Sequence, residues 1–203
     1  MKQLLLDIRP AAPATLDNFV AGRNTEALHS IRTLLSGTGT PFIYLWGSTG
    51  SGKTHLLTAC CQHAQENDLK VVVADDVHVL DDDQQIALFN TYNQLREEGG
   101  LLIAAGNAAP RQMELRDDLA TRLAWGLTYQ LHPLSDEEKA LAVRAHAKER
   151  GMRLPDEVLE YCRRHLRRDL PTLMATLDAL DEWSLTYQRP VTLPLLKQLL
   201  SLS

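Results

Sequence analysis

Residues 42–54 read FIYLWGSTGSGKT, and this stretch limits the fold more than any other. Phe42 to Trp46 is a short apolar run bounded by glycine, which predicts a strand buried on both faces of a parallel sheet. Gly47-Ser48-Thr49-Gly50-Ser51-Gly52-Lys53-Thr54 matches G-x-x-x-x-G-K-[ST], the loop that wraps a phosphate chain. Gly47, Gly50 and Gly52 can adopt backbone angles that turn successive N–H groups toward one anion, those of Ser48, Thr49 and Ser51 included. Lys53 would reach the terminal phosphates as a point charge, and the Thr54 hydroxyl would ligate Mg²⁺. A helix opening at His55 would aim its positive N-terminal end at the same phosphates. The pattern predicts binding of a nucleoside di- or triphosphate with Mg²⁺.

The rest of the chain predicts an α/β parallel sheet flanked by helices, followed by a small α-helical lid. Asn24 or Thr25 caps an amphipathic helix to about Leu35. Lys70-Val71-Val72-Val73-Ala74-Asp75-Asp76 is a β-branched run ending in acids. After a P-loop it reads as a Walker B strand, with Asp75 on the metal and Asp76 polarising the attacking water. Asp81-Asp82-Asp83 places acids at a helix N-terminus, where the helix dipole favours them. Ile86, Leu88, Phe89, Tyr92 and Leu95 form that helix's apolar stripe. Leu101 to Ala105 is a third buried strand, leading through Gly106 to Asn107, a polar amide where a nucleotide sensor would sit. Leu127 to Leu131 is a fourth strand.

From Pro133 onward the pattern is helical. Ser135 and Glu138 form a capping box, Gly151 ends that helix and Pro155 starts the next. The expected organisation is a tail over 1–13, a nucleotide-binding domain over 14–133 and a lid over 134–203. Between Thr54 and Lys70 the crossover suffices for one parallel connection. AAA+ ATPases, which this pattern resembles, carry a further strand and helix there. The resemblance implies that without them the Walker B strand forms an open edge, available for pairing with another chain, including a second copy.

Net charge is -5 and the pI about 5.8, which argues against a dedicated grip on DNA. The one basic cluster, Arg163, Arg164, Arg167 and Arg168, reads as a solvated helix face carrying one functional arginine. Cys60, Cys61 and Cys162 lack disulfide or zinc spacing, as expected of buried thiols in a cytoplasmic protein. No apolar run is long enough to span a membrane. The tail Gln3-Leu4-Leu5-Leu6-Asp7-Ile8 is either a first strand packed on the domain or a peptide ligand for a groove on a partner.

Taken together, strand, P-loop, acidic strand, sensor strand and helical lid resemble an AAA+ ATPase of the DnaA family. Gly52-Lys53-Thr54-His55-Leu56-Leu57 and Leu16-Asp17-Asn18-Phe19-Val20 are similar to the P-loop and preceding linker of that replication initiator. Leu119-Ala120-Thr121-Arg122-Leu123-Ala124-Trp125-Gly126, Leu134 to Lys139 and Thr192-Leu193-Pro194 resemble the family's regulatory inactivators. The resemblance implies that Asn107 is sensor I, Arg122 an arginine finger and Arg168 the sensor II arginine of the lid. It also implies that Gln3, Leu4, Leu6 and Ile8 bind the DNA polymerase III sliding clamp, and that the partner acted on is DnaA. Asn107 departs from the aspartate usual at that position, and an amide cannot serve as a charged acceptor. An intramolecular salt bridge is the plainer role for Arg122.

Two functions remain open on the sequence. One is a clamp-bound regulator that stimulates ATP hydrolysis by DnaA and so prevents re-initiation. The other is an ATPase acting on its own account, as an initiator fragment or helicase-loader relative. An initiator would need a basic DNA-binding segment after the lid, and the sequence to Ser203 contains none. A metabolic kinase would need an acceptor site in the lid, for which no residues stand out.

Overall fold

The computed structural model describes residues 13–201, which form two compact units, 13–133 and 134–201. The tail residues Gln3, Leu4, Leu6 and Ile8 lie outside the described residues.

The first unit is built on a four-stranded parallel sheet in the order β2-β3-β1-β4, with β1 Phe42–Trp46, β2 Val71–Ala74, β3 Leu101–Gly106 and β4 Leu127–Gln130. Period-2 alternation divides β1 and β3 between two cores. Ile43, Leu45, Ile103 and Ala105 face α1 (Thr25–Leu35) and α2 (Lys53–Glu66), meeting Ile31, Leu34, Leu56 and Cys60. Tyr44, Leu102 and Ala104 face α3 (Asp82–Glu98) and α4 (Asp117–Trp125), meeting Leu88, Tyr92, Leu119 and Leu123. Burial on both faces is why the central strands are continuous apolar runs. Among the described residues β2 pairs only with β3 and forms an edge of the sheet, as the resemblance implies.

Three local readings are corrected. Asn24 does not cap α1 with its side chain. It is buried and bonds the backbone of His132 twice, donating from Nδ2 to the carbonyl and accepting the N–H at Oδ1, both at 2.8 Å. A long-range anchor of the chain beyond β4 has displaced the cap. In α3 the apolar face runs through Leu88, Tyr92 and Leu95, with Phe89 partly buried, whereas Ile86 is 39% exposed. The buried place expected for Ile86 is taken by Gln85, whose amide donates to Leu80 O and accepts from Arg116 N. Asp81 stands outside α3 as its N-cap, in a reciprocal capping box with Gln84.

The second unit holds α5 (Asp136–Glu149), α6 (Asp156–His165), α7 (Leu170–Tyr187) and α8 (Leu193–Ser201) around Val143, Val158, Leu173, Leu177, Leu180 and Leu196. Ser135 and Glu138 form the expected capping box, and Gly151 turns with φ +69° just past α5. Arg150 bridges α5 to α7 through Asp181 at 3.0 Å and Asp178 at 3.3 Å, and His146 bonds Asp178 at 2.7 Å. Among the described residues no helix is long and apolar enough to cross a membrane. Burial pushes the Cys60 thiol up to about 12 and the Cys162 thiol to about 11, so both stay protonated at neutral pH.

Candidate nucleotide site and arginine cluster

Parallel strands share a direction, so the loops leaving β1, β2 and β3 emerge along one edge of the sheet. The register pairs Trp46 with Gly106 and Ala74 with Ala104, which brings Gly47, Asp75 and Asn107 to that edge. The glycine loop is fixed by contacts that larger residues would break. A Cβ on Gly47 would stand 2.3 Å from Leu131 O, and one on Gly52 would stand 2.7 Å from the Phe19 ring. Gly52 also holds φ +97°, a left-handed conformation that L side chains resist. It is the residue before α2, whose first residues are Lys53 and Thr54.

Lys53 Nζ donates to Gly47 O at 2.7 Å and to Ser48 O at 3.2 Å, which keeps the ammonium over the loop. Thr54 Oγ1 donates to Asp75 Oδ2 at 2.7 Å, while Asp75 Oδ1 accepts the N–H of Asp76 at 2.8 Å. Asp76 adopts φ 47° and ψ 42°, left-handed for a residue with a side chain. Its carboxylate is 61% exposed and lies 3.9 Å from His78 Nδ1, too far for a hydrogen bond. The Ser51 hydroxyl is buried in the loop with no hydrogen-bond partner among the described residues.

These features fit a polyphosphate with Mg²⁺. The orphaned Ser51 hydroxyl, the constrained glycines and Lys53 suit an anion held by backbone N–H groups. Thr54 and Asp75 offer adjacent hard oxygens, as suits Mg²⁺, which takes one or two protein ligands and completes its shell with water and phosphate. Among the described residues no group of three His, Cys, Asp or Glu side chains could hold a metal by itself.

Two supports of the loop come from the linker before α1, whose contact with the loop no spacing in the sequence shows. Thr15 and Phe19 precede the sheet by more than twenty residues, yet both reach the start of α2. The Thr15 carbonyl accepts from His55 Nε2 at 3.0 Å, which fixes the tautomer with a proton on that nitrogen. The Phe19 and His55 rings lie 5.5 Å apart. His55 therefore serves the loop through the preceding chain, with its ring engaged there. Asn107 is exposed just beyond β3. The loop it begins is held by Tyr44, whose hydroxyl donates to Ala108 O at 3.1 Å. Burial keeps that phenol well above its ordinary range, so it remains a donor.

Arg122 lies elsewhere. It projects from α4, and among the described residues no carboxylate reaches ion-pair distance, so the plainer salt-bridge role is not realised. Its guanidinium instead sits 4.5 Å from the centroid of the Trp125 ring, 5.8 Å from that of Phe89 and 5.9 Å from that of Tyr92. Tyr92 stacks on Phe42, the first residue of β1, at 4.3 Å. The P-loop leaves the other end of β1, roughly 15 Å away by the rise of a five-residue strand.

In the lid, Arg168 follows α6, is 70% exposed and lies 3.8 Å from Asp136. Its neighbours are also paired, Arg163 and Arg164 with Glu160 and Arg167 with Asp169. Only Arg163 and Arg164 belong to the helix, so the basic cluster is not a single helix face.

Comparison with known proteins places this geometry. Residues 12–74 and 67–130 match the family model described as the bacterial DnaA ATPase domain, and residues 136–200 match the model described as the Hda lid domain. The two DnaA stretches overlap over 67–74, which holds the connection after α2 and strand β2. The fold is similar to domain III of the replication initiation protein DnaA of Thermotoga maritima. That match has a TM-score of 0.71 and 24% identity over 95% of this chain and 98% of the other. AMPPCP-bound DnaA from Aquifex aeolicus gives 0.67 and 22%, over 83% of this chain and 65% of that one. The RuvB branch-migration motor of Thermotoga maritima gives 0.62 and 14%, over 94% and 72%. The chain belongs to the bacterial DnaA ATPase-domain family of AAA+ proteins, as an Hda-like member of it.

Proposed function

We propose that this protein binds ADP or ATP with Mg²⁺ at Gly47–Thr54 and Asp75, and acts as a clamp-bound regulator that stimulates ATP hydrolysis by DnaA. The observation that carries the reading is Arg122: a guanidinium with no acidic partner among the described residues, stacked on aromatic rings and remote from the P-loop edge of its own sheet. Such a group is suited to a phosphate held by another subunit. In the partner, water attacks the γ-phosphorus of ATP and the bond to the bridging oxygen breaks, releasing ADP and phosphate. Arg122 would stabilise the charge on the phosphoryl oxygens, an effect worth about 10³–10⁵ in rate for arginine fingers elsewhere.

The nucleotide bound to this chain would order the loop and fix the conformation presented to DnaA. Arg168 would be the sensor II arginine, and Asn107 would orient phosphate or water. Hydrolysis within this chain would be slow, since Asn107 supplies an amide in place of a carboxylate. A second reading, an ATPase in its own right, is favoured by the adjacent Thr54, Asp75 and Asp76 and predicts turnover without a partner.

Attachment to the sliding clamp is assigned to Gln3, Leu4, Leu6 and Ile8. Replacing Gln3 and Leu4 by Ala should abolish clamp binding in surface plasmon resonance and leave nucleotide affinity unchanged. Unaltered clamp binding would contradict the assignment.

A further inference from the structure

We infer that Trp125 is the positioning residue for Arg122, a proposal that rests on the reading of Arg122 as an arginine supplied to a partner. An arginine waiting on an exposed face for a phosphate faces two opposing requirements. Its long side chain must be ordered, yet its N–H donors must stay free. A carboxylate would meet the first and defeat the second by occupying the donors. An aromatic ring meets both, because it takes the guanidinium through its face and leaves the edge donors available for a bidentate contact.

The geometry has this form. Trp125 follows Arg122 by three residues on α4, so the two share one helical face. The guanidinium carbon stands 4.5 Å from the Trp125 centroid, and Arg96 approaches the same indole from α3 at 5.3 Å. Trp125 is 58% exposed, and nothing in the apolar core requires an indole there. Its position is nevertheless fixed. Gly126 ends α4 so close to β1 that a Cβ would lie 2.2 Å from Phe42 O. The backbone that carries Trp125 is thus held beside the start of β1, and two guanidinium groups stand over its ring. Their combined charge suits a polyanion such as the phosphates of a nucleotide on a second subunit.

The test compares Trp125→Phe, Trp125→Leu and Arg122→Ala with the wild type, using full-length chain, DNA-loaded clamp and ATP-bound DnaA. Phosphate release is measured against the concentration of this protein. Trp125→Leu should lower the saturated rate about ten- to hundredfold, the loss expected when a reacting group is held out of position. The half-saturating concentration should stay within about twofold, and Trp125→Phe should recover most of the rate. Without any partner, the NMR resonance of the Arg122 Nε–H, displaced by the indole ring current, should return to an unstacked position in Trp125→Leu. Full activity in Trp125→Leu, a change confined to half-saturation, or an unmoved resonance would overturn the proposal alone. Full stimulation by Arg122→Ala, or none by the wild type, would overturn the reading of Arg122 and this proposal with it.

Discussion

Thr54 and Asp75 meet at 2.7 Å, joining the end of the glycine loop to the acid that closes β2. Three strands, in the order β2-β3-β1, must be correctly paired before these oxygens can share a cation. Thr54→Val keeps the branched shape and removes the hydroxyl. Its affinity for ATP in the presence of Mg²⁺ should fall about tenfold, equivalent to about 1.4 kcal/mol. In EDTA its affinity should match the wild type. Isothermal titration under both conditions checks this, and an equal loss in both would assign Thr54 to the loop's shape and not to the metal.

Gly52 faces two constraints, its left-handed backbone and the Phe19 ring where a side chain would begin. Gly52→Ala should destabilise the protein by about 1–3 kcal/mol, the range for a strained backbone. Adding Phe19→Ala would remove the clash and leave the torsional strain. The double variant should therefore show a smaller loss than the two single losses added, as a denaturation cycle would reveal. Strict additivity would mean that the linker and loop are not in energetic contact.

The candidate phosphate loop is legible in sequence because the chemistry it would need is local. A phosphate loop needs glycines, a lysine and a hydroxyl within eight positions, and Gly47 to Thr54 supply them consecutively. The sheet was equally legible, since burial of both faces leaves uninterrupted apolar runs such as Phe42–Trp46 and Leu101–Ala105. Contacts between distant segments were not. Asn24 resembled a helix cap because capping residues are short and polar, but its amide was taken by His132, 108 positions away. Likewise Ile86 fitted a helical period on paper, while Gln85 took the buried place by bonding Leu80 and Arg116. Arg122 was legible as a motif, but its aromatic setting depends on how α3 and α4 pack. The indole that orders it could be read only as a large side chain near a helix end.

The most direct test of the account is phosphate release from ATP-bound DnaA in the presence of DNA-loaded clamp, with this protein either wild type or Arg122→Ala. The wild type should accelerate release by at least about 10³-fold, the lower end for arginine fingers. Arg122→Ala should bind DnaA and nucleotide as the wild type does, yet leave the rate near that of DnaA alone. Undiminished stimulation by Arg122→Ala, or phosphate release by this protein without DnaA at a rate matching the full reaction, would contradict the account.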